Sequence, residues 1–436
     1  MRIDFDTAPF IANSRLIETT EEVAAFFKRA ANEDVIAVDI ESAAFYRYYA
    51  RVNLIQIATR KEAAIMDPQA IEDFTPFREF VAKSKCMWLF HGGDFDISML
   101  AKDLHIFIPR MFDTRKAAEL IGMQELGLRA LTEKYLGFTL DKRLQRCDWS
   151  RRPLTTAMKE YGLLDAVCLI PVYDCLVKEL DDLGRIEWVM EECDSIAKTA
   201  REAQNHEPDP YAFHIKGSCY LSKRTLAVLR EIWNLREDIA SKLDRAPFML
   251  LSNQSLIDIA KICPRSIAGL NIIKSINHDF ISRYGHDLQV AIKAGLSAEL
   301  VNLERPFKPK DREELLNAWE GELAKAIREI RDEVAAKINV PPSVLAPSHA
   351  IYDLARIRPQ SLGELVQSEI LHASFQDAAA HEPRVHEQIL RIFLLQDHDA
   401  NQPVVAELVL QRETEALERI IGSHADDIVL RVAHRA

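Results

Sequence analysis

Apolar residues run almost unbroken through 35–42 (VIAVDIES), 52–59 (VNLIQIAT) and 63–67 (AAIMD), with many β-branched side chains. Runs of this length and composition read as three short strands with close connections. The spacing turns helical at 74–83 (FTPFREFVAK) and returns to a strand at 86–92 (CMWLFHG). It is helical again from about 96 to 104, 114 to 121, 126 to 136 and 155 to 183. The order β-β-β-α-β-α predicts a mixed sheet flanked by helices. From about residue 184 the strand signals vanish, and only the loop-like QDHDANQP at 396–403 interrupts a helical pattern near the end.

That helical half repeats itself. Residues 236–270 align without gaps onto 331–365 at an offset of 95, with 11 of 35 positions identical, among them Ala240/Ala335, Pro247/Pro342, Asp258/Asp353 and Pro264/Pro359. Repetition over that length predicts two copies of one helical domain. The stretch 396–436 reads as a helical extension with no functional signal of its own.

At 436 residues the chain is too long for one ordinary core, and two to four domains are expected. Its 48% hydrophobic and 28% charged residues are those of a water-soluble globular protein. No apolar run reaches the roughly 18 residues of a membrane span, and the first residues, MRIDFDTAPF, lack the apolar core of a signal peptide. Seven cysteines with no C-x-x-C pair point to reduced thiols in the cytoplasm. A net charge of −12 repels a phosphate backbone, so any nucleic-acid contact must be local. One basic cluster fits: Lys142, Arg143, Arg146, Arg151 and Arg152 are diluted by a single acid, Asp148. It reads either as a solvated loop or as a contact to a substrate strand.

Five residues carry the candidate chemistry. Asp39 and Glu41 are two apart in the first strand, so both point to one face. Tyr161 and Asp165 are four apart in a helical pattern, one turn above each other. Asp96 opens a helix in FHGGDFDISML, where Asp94 is its rival. Four converging carboxylates repel one another unless cations sit between them. A pair of divalent ions about 3.5–4 Å apart is the usual answer, and such pairs catalyse in-line attack at phosphorus. Asp113 reads as a helix cap rather than a ligand. His91 reads as a phosphate contact or a structural hydrogen-bond partner, and Trp149 as a base-stacking ring or a packing anchor.

At these residues the chain resembles the DEDD exonuclease superfamily, tyrosine branch, and most closely the ribonuclease D family. DIES stands where the family reads DTEF, and YYARVNLIQIA follows it. FHGGDFDISML resembles the second motif, with Asp96 at the metal-binding aspartate, and YGLLD supplies the Tyr-x-x-x-Asp of the third. MFDT at 111–114 and TLDKRLQRCDWSRRPLT at 139–155 resemble intervening family segments. Two departures stand out: Ser42 replaces the phenylalanine usual after the glutamate, and HGGDFD carries an extra acid.

The resemblance implies a ribonuclease-H-like α/β exonuclease domain over 1–205, HRDC-like helical domains over 206–300 and 301–395, and the extension 396–436. It implies that Asp39, Glu41, Asp96 and Asp165 hold two Mg²⁺ or Mn²⁺ ions, and that Tyr161 orients the attacking water. His91, Arg143, Trp149 and Arg152 are the candidate substrate contacts. The implied function is 3′–5′ exoribonucleolytic trimming of RNA with a free 3′ end, transfer-RNA precursors above all, with no membrane or obligate protein partner. The alternatives are a 3′–5′ DNA exonuclease of the same superfamily and a non-catalytic RNA-binding scaffold. The first helical copy has basic character at Lys216, Lys223 and Arg224, and the second reads as architectural.

Overall fold

The structure is a computed structural model and describes residues 2–203, 209–300, 303 and 316–357. The rest of the second repeat, including Pro359 and Leu365, and the extension 396–436 lie outside the described residues. The chain divides into two compact units. The first holds a six-stranded sheet, its helices and the first helical copy; the second holds the second copy.

The sheet runs in the order β1-β4-β3-β2-β5-β6. Its strands are β1 (Arg15–Ile17), β2 (Val35–Ser42), β3 (Val52–Ala58), β4 (Ala63–Met66), β5 (Met87–Phe90) and β6 (Met111–Asp113). The pairs β2/β3 and β3/β4 are antiparallel, whereas β1/β4, β2/β5 and β5/β6 are parallel, so the expected mixed sheet is present. The strand with the acidic pair, β2, is central and paired on both sides, which is why it reads as a nearly continuous apolar run. Every residue of β3, β4 and β5 is buried.

Helices α1 (Ala8–Ala12), α2 (Thr20–Arg29), α3 (Thr75–Lys83), α4 (Asp94–Leu104), α5 (Thr114–Leu120) and α6 (Leu128–Tyr135) accompany the strands. The long helix expected over 155–183 is instead two, α7 (Thr156–Val167) and α8 (Leu169–Asp182). The break follows from Pro171 in the first turn of α8. Proline cannot donate to the carbonyl of Val167 and its ring clashes there, so α7 must stop and a new helix begin. A further helix, α9 (Ile186–Glu202), buries Trp188, Val189 and Cys193.

The first helical copy comprises α10 (Lys223–Leu243), α11 (Pro247–Leu250), α12 (Asn253–Ile262), α13 (Ile267–Asn271) and α14 (His278–Ser297) around its own apolar core. In the second copy α15 (Ala318–Ile338), α16 (Pro342–Leu345) and α17 (Ser348–Ile357) begin and end 95 residues after α10, α11 and α12. Detailed contacts recur at the same offset. Arg236 donates to the Leu251 carbonyl (3.2 Å) and pairs with Glu237; Arg331 donates to the Ala346 carbonyl (2.8 Å) and pairs with Asp332. Each long helix ends on a left-handed residue, Asp244 (φ 43°) and Asn339 (φ 55°), types that tolerate that conformation better than most. Arg224, expected to lend the first copy positive surface, is partly committed: it donates to the Gly295 and Ala298 carbonyls at the end of α14.

Candidate active site

Two elements bring Asp39, Glu41 and Asp165 to one place, and a third brings Asp96 near enough to act on Asp39 and Glu41 electrostatically. On β2, Asp39 and Glu41 share a face, and Asp39 lies opposite Gln56 of β3. An irregularity in the β2/β3 register falls between Glu41 and Ser42. The helix α7 packs across β2, β3 and β4 and brings Tyr161 and Asp165 down onto them. Gly162 permits that approach, because a Cβ there would lie 2.8 Å from the Gln56 amide nitrogen. Carboxylate oxygens of Asp39, Glu41 and Asp165 lie within 4.8 Å of one another.

Asp96 arrives by a tight turn. The chain leaves β5 through Gly92 (φ +68°) and Gly93, whose added Cβ would sit 2.4 Å from Cβ of Phe90. Asp113, at the end of the neighbouring β6, accepts from the Gly92 and Gly93 amides (2.9 and 2.8 Å) and from the Arg115 amide that opens α5 (2.8 Å). It caps a helix, as its sequence context suggests, and also anchors the turn that presents Asp96. Of the two rivals, Asp96 is buried and Asp94 is exposed.

The electrostatics are those of acids crowded with little countercharge. Burial, then Asp96, Asp165 and Glu41, raises the Asp39 carboxyl well above the usual range. Glu41 is pushed up to about 9 by burial and by Asp165 and Asp96. Asp96 rises to about 8 through burial, Asp113 and Asp94. Asp165 rises less, to about 7: burial raises it, while a hydrogen bond from Tyr161 and the Lys142 ammonium hold it down. The Tyr161 hydroxyl is itself pushed up by burial and by the surrounding carboxylates. A half-buried all-oxygen set this avid for protons matches what hard divalent cations require. Donor capacity lies beside it too: among the described residues, neither polar atom of the buried Gln56 amide has a hydrogen-bond partner.

The substrate-contact candidates separate. Arg143 is exposed, paired with Asp141, and lines a cleft of about 450 Å³ together with Tyr161, Glu160 and Asp165. His91 is half-buried, its Nδ1 lies 3.0 Å from the Thr114 hydroxyl, and burial pushes it down to about 4, so it is neutral at pH 7. Arg152 is not a free cation. It grips Asp67 through two nitrogens (2.5 and 2.6 Å) and donates to the Asn53 and Trp149 carbonyls. Trp149 is 1% exposed and packs behind Tyr161 with ring centroids 6.0 Å apart. Of its two sequence readings the structure selects the packing anchor; no ring face is open to a base. Sequence reasoning missed Gln56 as a neighbour of the site. Its signal was a lone amide in the apolar strand VNLIQIA.

Comparisons with known proteins bear on the family and the fold. Residues 14–181 match a family model described as 3′-5′ exonuclease, and 225–292 and 320–382 each match the HRDC domain. The ribonuclease D of Nitrobacter hamburgensis is 30% identical over 305 residues, covering 68% of this chain and 78% of that protein. The exosome complex exonuclease RRP6 of Saccharomyces cerevisiae is 27% identical over 268 residues, covering 58% of this chain and 37% of that one. In fold, a Bifidobacterium adolescentis protein superposes with a TM-score of 0.71 at 24% identity, covering 87% of this chain and 96% of the other. Escherichia coli RNase D superposes with a TM-score of 0.62 at 23% identity, covering 85% of this chain and 99% of the other. With its exonuclease domain, its HRDC modules and this kinship, the chain belongs to the ribonuclease D family of 3′–5′ exonucleases.

Proposed function

We propose that this protein is a divalent-cation-dependent exoribonuclease that removes nucleoside 5′-monophosphates one at a time from free 3′ ends. Transfer-RNA precursors and other stable RNA are the proposed substrates, and the cytoplasm the proposed location. The observation that carries the reading is the meeting of Asp39, Glu41 and Asp165 oxygens within 4.8 Å, on a central strand and a crossing helix of a 3′–5′ exonuclease fold.

In this proposal Asp39, Glu41, Asp96 and Asp165 hold two Mg²⁺ or Mn²⁺ ions. When bound, such a pair supplies an activated water and neutralises the charge that develops at phosphorus. The protein's own groups do the rest. Tyr161, its hydroxyl bonded to Asp165, orients the attacking water; burial and the surrounding carboxylates hold the hydroxyl protonated while no cation is bound. Arg143 and Lys142, both exposed beside the cleft, face the phosphates. Arg152 and Trp149 act from behind, holding the segment that carries these cations against β3 and α7.

The test uses RNA and matched DNA of one sequence, labelled at either end, with Mg²⁺ or with EDTA. Expected is stepwise shortening of RNA from the 3′ end, release of 5′-monophosphates, and arrest by EDTA. Shortening that favours DNA would replace the RNA reading with the DNA alternative. No nucleotide release from any substrate would reduce the protein to a binding scaffold.

A further inference from the structure

The β2–β3 loop, residues 43–51 (AAFYRYYAR), leaves the acidic site directly. Phe45 follows Glu41 by four residues, which keeps their Cα atoms within about 14 Å. The loop is held from two sides. The Ala246 amide donates to the Tyr46 carbonyl (3.0 Å), the Tyr49 amide donates to Asp244 (3.1 Å), and Tyr48 packs on the core of the first helical copy. On the nuclease side the Tyr46 hydroxyl donates to the Arg146 carbonyl (2.8 Å), and Arg47 donates to the Ser150 hydroxyl (3.0 Å).

Despite this anchoring, its rings stand in solvent. Phe45 is 52% exposed and meets Phe248 of α11, 48% exposed, with centroids 5.0 Å apart. Tyr49 is 48% exposed, with the Arg51 guanidinium 5.8 Å from its ring centroid. A contact made only to fasten loop to helix would bury these faces; here two protein segments combine to display them. Arg51, Arg146 and Arg245 are exposed on the same three segments, a local positive surface on a chain of net charge −12.

We propose that this aromatic ledge binds single-stranded RNA just upstream of the terminal nucleotide. Bases stack on Phe45, Phe248 and Tyr49, and phosphates lie beside Arg51, Arg146 and Arg245. Aromatic faces interleaved with arginines suit a flexible polyanion of any base sequence. A strand with its 3′ end at Glu41 has the loop next in its path. The first helical copy then has a definite task, completing the ledge through Phe248. The inference rests on the exonuclease reading above and deepens it.

The test uses the full chain made inactive by Asp39→Asn, with binding of a single-stranded oligoribonucleotide of roughly 12 nucleotides followed by anisotropy. Phe248→Ala is expected to weaken binding about tenfold, the loss of one stacked base, and Phe248→Trp to retain it. Phe248→Leu keeps apolar bulk without an aromatic face. It should bind as weakly as the alanine variant while melting like the parent, which separates stacking from packing. With Asp39 intact, Phe248→Ala should raise KM for the long RNA by a larger factor than KM for a dinucleotide. Parental affinity in both the alanine and leucine variants would overturn the proposal and leave the ring pair as a packing contact or a docking face for protein. The binding arm needs no catalysis. Failure of the unsubstituted chain to release nucleotides would therefore sink the exonuclease reading without deciding this one.

Discussion

Removing one acid from the site should make the metal-free protein more stable, and Glu41→Gln tests this most directly. In the folded chain the Glu41 carboxyl is pushed up to about 9 from an ordinary value of 4.5, first by burial and then by Asp165 and Asp96. A folded value above the unfolded one means that the folded chain holds the proton more tightly. The stability this group contributes is complete below its unfolded value and is lost as pH rises toward 9. One proton of difference gives a slope of about 1.4 kcal/mol per pH unit, so a rise from pH 5 to pH 8 costs at most about 4 kcal/mol. Glu41 is only partly buried in the cleft, and water and side-chain relaxation reduce this to about 1–2 kcal/mol. In EDTA the melting temperature of the parent should fall from pH 5.5 to 8.5, and that of Glu41→Gln should fall less. At pH 8 the variant should melt a few degrees higher. Mn²⁺ should reverse the order, because it relieves the repulsion in the parent and finds one ligand fewer in the variant. Parallel pH profiles in EDTA would refute the reasoning, since Glu41 would then ionise within the fold at no cost.

Other outcomes follow from the same geometry. Asp165→Asn should cut nucleotide release about 10²- to 10³-fold, with an unchanged or raised melting temperature in EDTA, read by single-turnover digestion and thermal melting. Tyr161→Phe should lower kcat about 10²-fold with little change in KM, since in the proposed mechanism the hydroxyl orients water and does not hold the substrate. Arg152→Ala strands the carboxylate of Asp67, 3% exposed, and should cost about 3–5 kcal/mol in denaturant unfolding; Arg152→Lys should restore only part of it.

The parts of this molecule visible in its sequence are those whose cause is local. In β2, eight residues state both the burial of a central strand and the two acids on its face, and the structured strand has the expected limits. The 95-residue offset showed two copies of one helical domain, and the structure bears this out in three helices of each that recur at that offset with the same buried arginine, Arg236 and Arg331. The edge strands β1 and β6 escaped notice, since three residues are too few for an alternation to show. The break between α7 and α8 was missed because an apolar pattern continued across it, although Pro171 was in plain view.

What failed at the site failed for want of partners. Arg152 and Trp149 sit in a basic, RNA-like segment, and residue type alone ranks them with Arg143. Arg152 differs because Asp67, 85 positions away, is buried beneath it, and Trp149 because α7 closes over it with Tyr161. Both belong to the site's support rather than its surface. The ledge shows the converse: Phe45 reads as an ordinary apolar loop residue until Phe248, two hundred residues on, stands against it with half its surface in water. Charge and pattern tell which residues could meet a nucleic acid. Only the pairing of distant segments tells which of them are still free to do so.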